Sequence, residues 1–221
     1  DLNRIKKDTT LLSLKENSFV RIDAGFIQDM AQTSNPSEPI LMSDALGAVD
    51  FKEDTTAPQL DSFDLDMNAG LLKMYFQEVV SLASVDVTQI TLQHQTAART
   101  LTGGDKSTSQ LNAEGVKVDH VRWFTIALTE VDINNIKYNG IGSSATTSWL
   151  TMTANTLVDA NDRAVDKIDF AKQVALNGFV ADTTPPELRS FTLSMDTGRL
   201  TLSFVETVKP GSLTASSLTL Y

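Results

Sequence analysis

The side chains able to do chemistry in this chain are carboxylates, and they occur in groups. Asp159, Asn161 and Asp162 crowd one short stretch. Closely spaced Asp and Asn oxygens are the ligand type of calcium, which takes roughly six to eight of them. Asp61, Asp64 and Asp66 crowd a second stretch, and Glu78 and Glu206 each stand in a Phe-x-Glu-x-Val context. Against a calcium loop, the first group lacks EF-hand spacing and has Arg163 where a further acid would fall. Asp159, Asn161 and Asp162 are therefore the metal candidates and calcium the one candidate cofactor. A solvated turn is the competing reading, and calcium is not expected to be required. Glu78 and Glu206 are expected to fix a strand bend by hydrogen bonding rather than to act as acids. His94 and His120 are the only histidines and neither recurs in the chain. A triad or zinc site would need each of them beside the right partners. There is no cysteine, which excludes disulfides and Cys-based zinc sites. With no Gly-rich phosphate loop and no HExxH, no catalytic residue is assigned and no enzyme is expected.

The elements that must position these residues are set by a repeat. Residues 54–93 and 182–221 are two copies of one segment at an offset of 128, with 17 identical positions and no gap. The identities include Pro58/Pro186, Phe63/Phe191, Met67/Met195, Gly70/Gly198, Phe76/Phe204 and Glu78/Glu206. The acids of the other group do not recur: Arg189, Thr192 and Ser194 stand in place of Asp61, Asp64 and Asp66. DLNRIK at Asp1 also matches DINNIK at Asp132. A fixed period sets architecture before other signals do. The expected organisation is the C-terminal part of one unit at 1–53, a complete unit at 54–181, and the N-terminal part of the next at 182–221. The end pieces should show bare apolar edges that another copy or further sequence covers. Phe63, Phe191, Phe76 and Phe204 are all expected to be buried.

Within the complete unit the period is two. Phe63, Leu65 and Met67, then Leu72, Met74 and Phe76, alternate with other residues, as do Ile90 and Leu92, Phe124, Ile126 and Leu128, and Leu150, Met152 and Ala154. Each such run is a strand with one buried face. Turn residues separate them at Asn68-Ala69-Gly70, Gly103-Gly104-Asp105 and Asp159 to Asp162. Short strands so spaced predict an all-β fold: tandem Ig-like antiparallel sandwiches of two sheets, each with one short helix. The helix is Thr129 to Lys137, with Thr129 as cap, Asp132 at the capping-box position, and Gly140 and Gly142 ending it. Asp1 to Lys6 should repeat it. The Pro-containing linkers ahead of Pro58 and Pro186 should hold successive units at a defined angle.

The net charge of −10 argues against nucleic acid, whose phosphates would be repelled. No apolar run is long enough for a membrane span. The Thr/Ser-rich, Lys-poor surface fits an extracellular or cell-surface location. Asn35-Pro36-Ser37 is disqualified as an N-glycan site by its proline. Ser143, Ser144, Thr146, Thr147 and Ser148 are candidates for O-linked sugar. Trp123 is one step out of phase with Phe124, so strict alternation cannot bury both on one face: either one faces outward as an interface anchor, or the strand is covered on both sides. Trp123, Tyr75 and Trp149 are the candidate interface anchors.

The pattern DTTxPxLxSFxLxMxxGxLxLxFxETV, carried by Asp182, Thr183, Thr184, Pro186, Leu188, Ser190, Phe191, Leu193, Met195, Gly198, Leu200, Leu202, Phe204, Glu206, Thr207 and Val208, resembles the Ig-like repeats of large extracellular proteins of stramenopile algae. These include the sexually induced, mastigoneme-type proteins of flagellar hairs. It is also similar, more loosely, to Ig-like repeats of bacterial surface-layer proteins. SWLTMTANTLVDANDRAV continues the likeness, but Asp162-Arg163 departs from the family's Asp-x-Asn-Gly-Asn turn. The resemblance implies a structural subunit of an extracellular filament or flagellar hair, whose partners are copies of itself. The alternative is a cell-surface adhesion or ligand-binding module of tandem Ig-like domains, with calcium as a candidate stiffening ion.

Overall fold

Strict apolar alternation gives strands, and the computed structural model places them in one connected arrangement. It describes residues 2–6, 8, 12–95, 97–110, 118–169 and 174–221, with the backbone only of 2, 4 and 174–177. In chain order the elements are α1 (Leu2–Lys6), β1 (Phe19–Val20), β2 (Leu46–Gly47), β3 (Leu60–Asp66), β4 (Leu71–Ser81), β5 (Ile90–His94), β6 (Ala97–Thr100), β7 (Gly104–Ser107), β8 (His120–Leu128), α2 (Glu130–Tyr138), β9 (Trp149–Met152), β10 (Val174–Val180), β11 (Leu188–Ser194) and β12 (Arg199–Phe204). The protein is all-β in class, with short helices between strands. No helix among the described residues is long and apolar enough to cross a membrane.

Strands β10, β3, β4, β8 and β7 form one run of neighbours, and β6, β5, β9 and β10 another, with β10 shared. Its first residues pair antiparallel with Trp149 and Leu150 of β9. From Leu176 on it pairs parallel with β3, Leu176 opposite Phe63 and Phe179 opposite Leu65, with an irregularity between Leu176 and Gly178. This corrects the expectation of purely antiparallel sheets. A parallel neighbour needs a long connection rather than a hairpin, and the whole chain from β4 to β9 supplies it. The two inward faces share one apolar cluster: Phe63, Met74, Phe76, Phe124 and Ile126 from one run, Ile90, Leu92, Leu150 and Met152 from the other. The Phe76 and Phe124 rings stack with centroids 5.7 Å apart. Burial of each such side chain is worth about 1.5–3 kcal/mol.

The hairpin β11–β12 repeats β3–β4 at the sequence offset of 128. Both contain the same register irregularity, Leu60/Ser62 in one and Leu188/Ser190 in the other. Both turn through a left-handed glycine, Gly70 at φ 66° and Gly198 at φ 60°, where any side chain would be strained. A 3-10 turn follows at Val87–Gln89 and again at Ala215–Ser217.

The environments differ. Phe63 and Phe76 are buried, whereas Phe191 is 57% exposed and Phe204 half-buried. The expectation that all four are buried fails for the second pair because no second sheet crosses β11–β12 among the described residues. The described core side chains all lie between Leu60 and Ile168. Phe19, Phe26, Met30 and Met42 in the N-terminal segment are exposed, as are Leu188, Leu193 and Met195.

Helix α2 starts at Thr129, whose hydroxyl accepts from Asp132 N. Asp132 does not complete a capping box: its fully buried carboxylate accepts from Arg99 Nε of β6 and from the Thr102 amide, both at 2.8 Å. Two smaller boundaries also differ from the sequence reading. Asp105 lies in β7 rather than in a turn, and Ala154 begins a 3-10 turn after β9. Asp1 lies outside the described residues; the rest of its segment is helical, as α1.

Candidate functional site: a repeated lysine–carboxylate clamp

Each helix ends in a lysine aimed at the start of a Pro-containing segment. Lys6, closing α1, pairs with Asp54 Oδ2 and Glu78 Oε2. Lys137, near the end of α2, pairs with Asp182 Oδ2 at 2.8 Å and with Glu206 Oε2. Asp54 and Asp182, like Glu78 and Glu206, are separated by the offset of 128. The connections differ, with 48 positions from Lys6 to Asp54 and 45 from Lys137 to Asp182. The same three-residue contact therefore forms across loops of unequal length. In each cluster the aspartate's second oxygen is held by the backbone: Asp54 Oδ1 accepts from Thr56 N at 3.1 Å, and Asp182 Oδ1 from Thr184 N at 3.1 Å.

Local structure explains the aim. Between Tyr75 and Val80 the pairing of β4 with β8 is irregular, and a bulge re-aims side chains from strict alternation. Glu78 lies in that interval, is buried, and points to Lys6. The expected strand-bend role for Glu78 and Glu206 is thus replaced by ion pairing. On α2, the Asp132–Arg99 contact fixes the helix against β6 and so sets where Lys137 reaches.

Electrostatics follow from partial burial. The Lys6 and Lys137 side chains are each 17% exposed, Glu78 11% and Glu206 12%. Burial alone would lower both lysines, but hydrogen bonds and charge from their paired carboxylates outweigh it and hold both above the ordinary lysine value. Burial raises Asp54, and the hydrogen bonds from Lys6 and Thr56 together with the Lys6 charge outweigh it, leaving the group below the ordinary aspartate value. The Lys137 hydrogen bond lowers Asp182 in the same direction.

A third carboxylate joins the first cluster. One oxygen each from Asp54, Glu78 and Asp159 lie within 4.8 Å of one another. Asp159 Oδ1 accepts from Asn161 N at 2.8 Å and Arg163 N at 2.9 Å. Arg163 Nε in turn donates to the Asp54 carbonyl oxygen at 2.5 Å. Of the metal candidates read from sequence, Asp159 is buried in this group; Asn161 and Asp162 are exposed and outside it.

The remaining candidates are scattered. Asp64 accepts from the Tyr75 hydroxyl at 2.7 Å, Asp66 caps the β3–β4 turn through Asn68 N and Ala69 N, and Asp61 is exposed. His94 Nδ1 contacts the Thr147 carbonyl at 2.8 Å, and His120 lies beside Asp119. Trp123 faces outward while Phe124 is buried. Tyr75 and Trp123 are cross-strand neighbours, with Lys73 Nζ 5.0 Å and 4.1 Å from their ring centroids. Trp149 lies on β9 opposite Gln93, apart from that pair. Ser148 is buried, with its hydroxyl accepting from Gly142 N, so it is closed to sugar in the folded chain. Ser143 and Thr146 are exposed.

Comparison with family models, with curated proteins and with solved structures finds no match for this chain. Sequence reasoning missed Lys6, Lys137, Asp54 and Asp182 as partners. The available signal was charge identity between the copies: these residues coincide although the apolar pattern does not require them.

Proposed function

We propose that the chain is a stretch of a tandem array of Ig-like β-sandwich units, and that it serves as a structural subunit of an extracellular filament of the flagellar-hair type. The observation carrying this reading is the repeated clamp. Lys6 grips Asp54 and Glu78, and Lys137 grips Asp182 and Glu206. On this reading residues 1–53, 54–181 and 182–221 belong to successive units. Each clamp joins the helix of one unit to the linker and second-strand region of the next. A charged pair on each side of a proline-stiffened linker limits rotation, and a chain of such joints is a semi-rigid rod.

The exposed face of β11–β12 supports the same reading. Phe191, Leu193 and Met195 are exposed where Phe63, Leu65 and Met67 are buried. A face of this composition requires a covering sheet. Lateral contacts between copies of the chain, anchored on Trp123, Tyr75 or Trp149, then lock rods into a fibre. Contacts that do not close on themselves generate open filaments. The mechanism is mechanical, not catalytic.

A second reading is an adhesion module of tandem Ig-like domains, favoured by the carboxylate group at Asp54, Glu78 and Asp159, which suits a cation-stiffened rod. Sedimentation of a purified multi-unit protein across a concentration series separates the two. Growing assemblies support the filament. A monomer at every concentration and salt level contradicts it and leaves the adhesion module.

A further inference from the structure

We propose that Asp54, Glu78 and Asp159 form a calcium site at the start of the first Pro-containing segment, with Lys6 as its displaceable counter-charge. The proposal goes beyond the filament reading, since it concerns ion binding by a single chain and holds whether or not chains assemble.

Three facts carry it. First, the oxygens converge. Two oxygens sharing a calcium ion at about 2.4 Å lie no more than about 4.8 Å apart, and one oxygen from each of the three residues meets that limit. Second, the group is under-neutralised. Three carboxylates stand beside two cations, Lys6 and Arg163: Lys6 pairs with Asp54 and Glu78, and Arg163 Nε bonds the Asp54 backbone carbonyl, so one negative charge is left without a counter-charge. Third, Asp159 is only 4% exposed, and its Oδ2 is buried without a hydrogen-bond partner among the described residues. A buried carboxylate oxygen left unpaired is costly, and a cation between the three groups removes that cost.

The donor set selects the ion. It is all oxygen, with no cysteine in the chain and neither histidine in the group, which suits a hard cation rather than zinc. Three protein oxygens leave coordination positions for water. A cleft of about 590 Å³ lined by Lys6, Asp54, Asn161 and Arg163 opens at the Asp54 side of the group. Calcium entering there releases the Lys6 ammonium to solvent and ties the first Pro-containing segment to the Asp159 turn directly.

The test is calcium chloride titrated calorimetrically into the 221-residue chain, with thermal unfolding in parallel and magnesium chloride at matched ionic strength. One calcium per chain, with a rise in melting temperature that magnesium does not reproduce, is the expected result. D159N, which keeps the Oδ1 acceptor for the turn, weakens binding at least about tenfold, and E78Q does the same. K6M removes the competing ammonium and tightens binding by about tenfold. The proposal is overturned if neither wild type nor K6M binds calcium, or if magnesium acts equally. It is also overturned if D162N abolishes binding while D159N and E78Q leave it intact, which places the ion on the exposed turn. Terbium luminescence, quenched by added calcium, reads the site directly in any variant whose melting temperature has changed.

Discussion

Replacing Lys137 with methionine removes the second clamp while keeping side-chain length and apolar contact. Lys137 makes two charge-assisted hydrogen bonds, to Asp182 and Glu206. Each such bond is worth about 1.5–3 kcal/mol where shielded. Solvent reduces this here, since the Asp182 side chain is 29% exposed and rehydrates when released. Glu206 recovers less, being only 12% exposed. The net loss is about 2 kcal/mol, which raises the ratio of detached to clamped hairpin about 30-fold. The chain has no cysteine, so single cysteines at exposed Asp61 and Thr197 accept spin labels without competing thiols. Pulsed dipolar spectroscopy then reads the distance between β3 and the β11–β12 turn. Wild type gives one narrow distribution. K137M and E206Q each give a second, longer population, and the double variant gives less than the sum of the two effects, as interacting partners require. An unchanged distribution in K137M, or strict additivity, refutes the clamp.

Three further outcomes follow from the same structure. Asp132→Ala leaves Arg99 without its buried partner and lowers stability by about 3–5 kcal/mol, read by urea unfolding. Phe63→Ala costs about 3–5 kcal/mol, whereas Phe191→Ala, at a site 57% exposed, stays within about 0.5 kcal/mol by the same assay. The clamp distances are flat between about pH 5 and pH 10. Asp54 and Asp182 are held low, so their contribution is complete above the ordinary carboxylate value and is lost as acid reaches their lower folded values. Lys6 and Lys137 are held high, so theirs is complete below the ordinary lysine value and is lost as pH rises through the raised one.

The strands that alternation marks were legible because one face is buried: Phe63 to Met67, Leu72 to Phe76, Ile90 and Leu92, and Phe124 to Leu128. So was α2, whose Thr129 cap has a local cause. Strands β6 and β7 were not, because Ala97–Thr100 and Gly104–Ser107 carry little apolar signal. Strand β10 was not read at all, and its parallel pairing with β3 is decided by tertiary connection and not by period. The burial of Phe191 was misjudged because an identical residue in an identical hairpin takes its environment from what lies across the sheet. The clamp was half legible. Glu78 and Glu206 stood out by recurrence, but the partner of a repeated charge lies about 70 residues away in sequence, and only the fold brings it near.

We propose that this chain is a clamped tandem array that builds an extracellular fibre. Immunogold electron microscopy of the native source, with an antibody raised against residues 54–181, tests it most directly. Gold spaced regularly along the shafts of surface fibres is the predicted result. Labelling confined to the cell interior, or to isolated particles with no fibre beneath them, contradicts it.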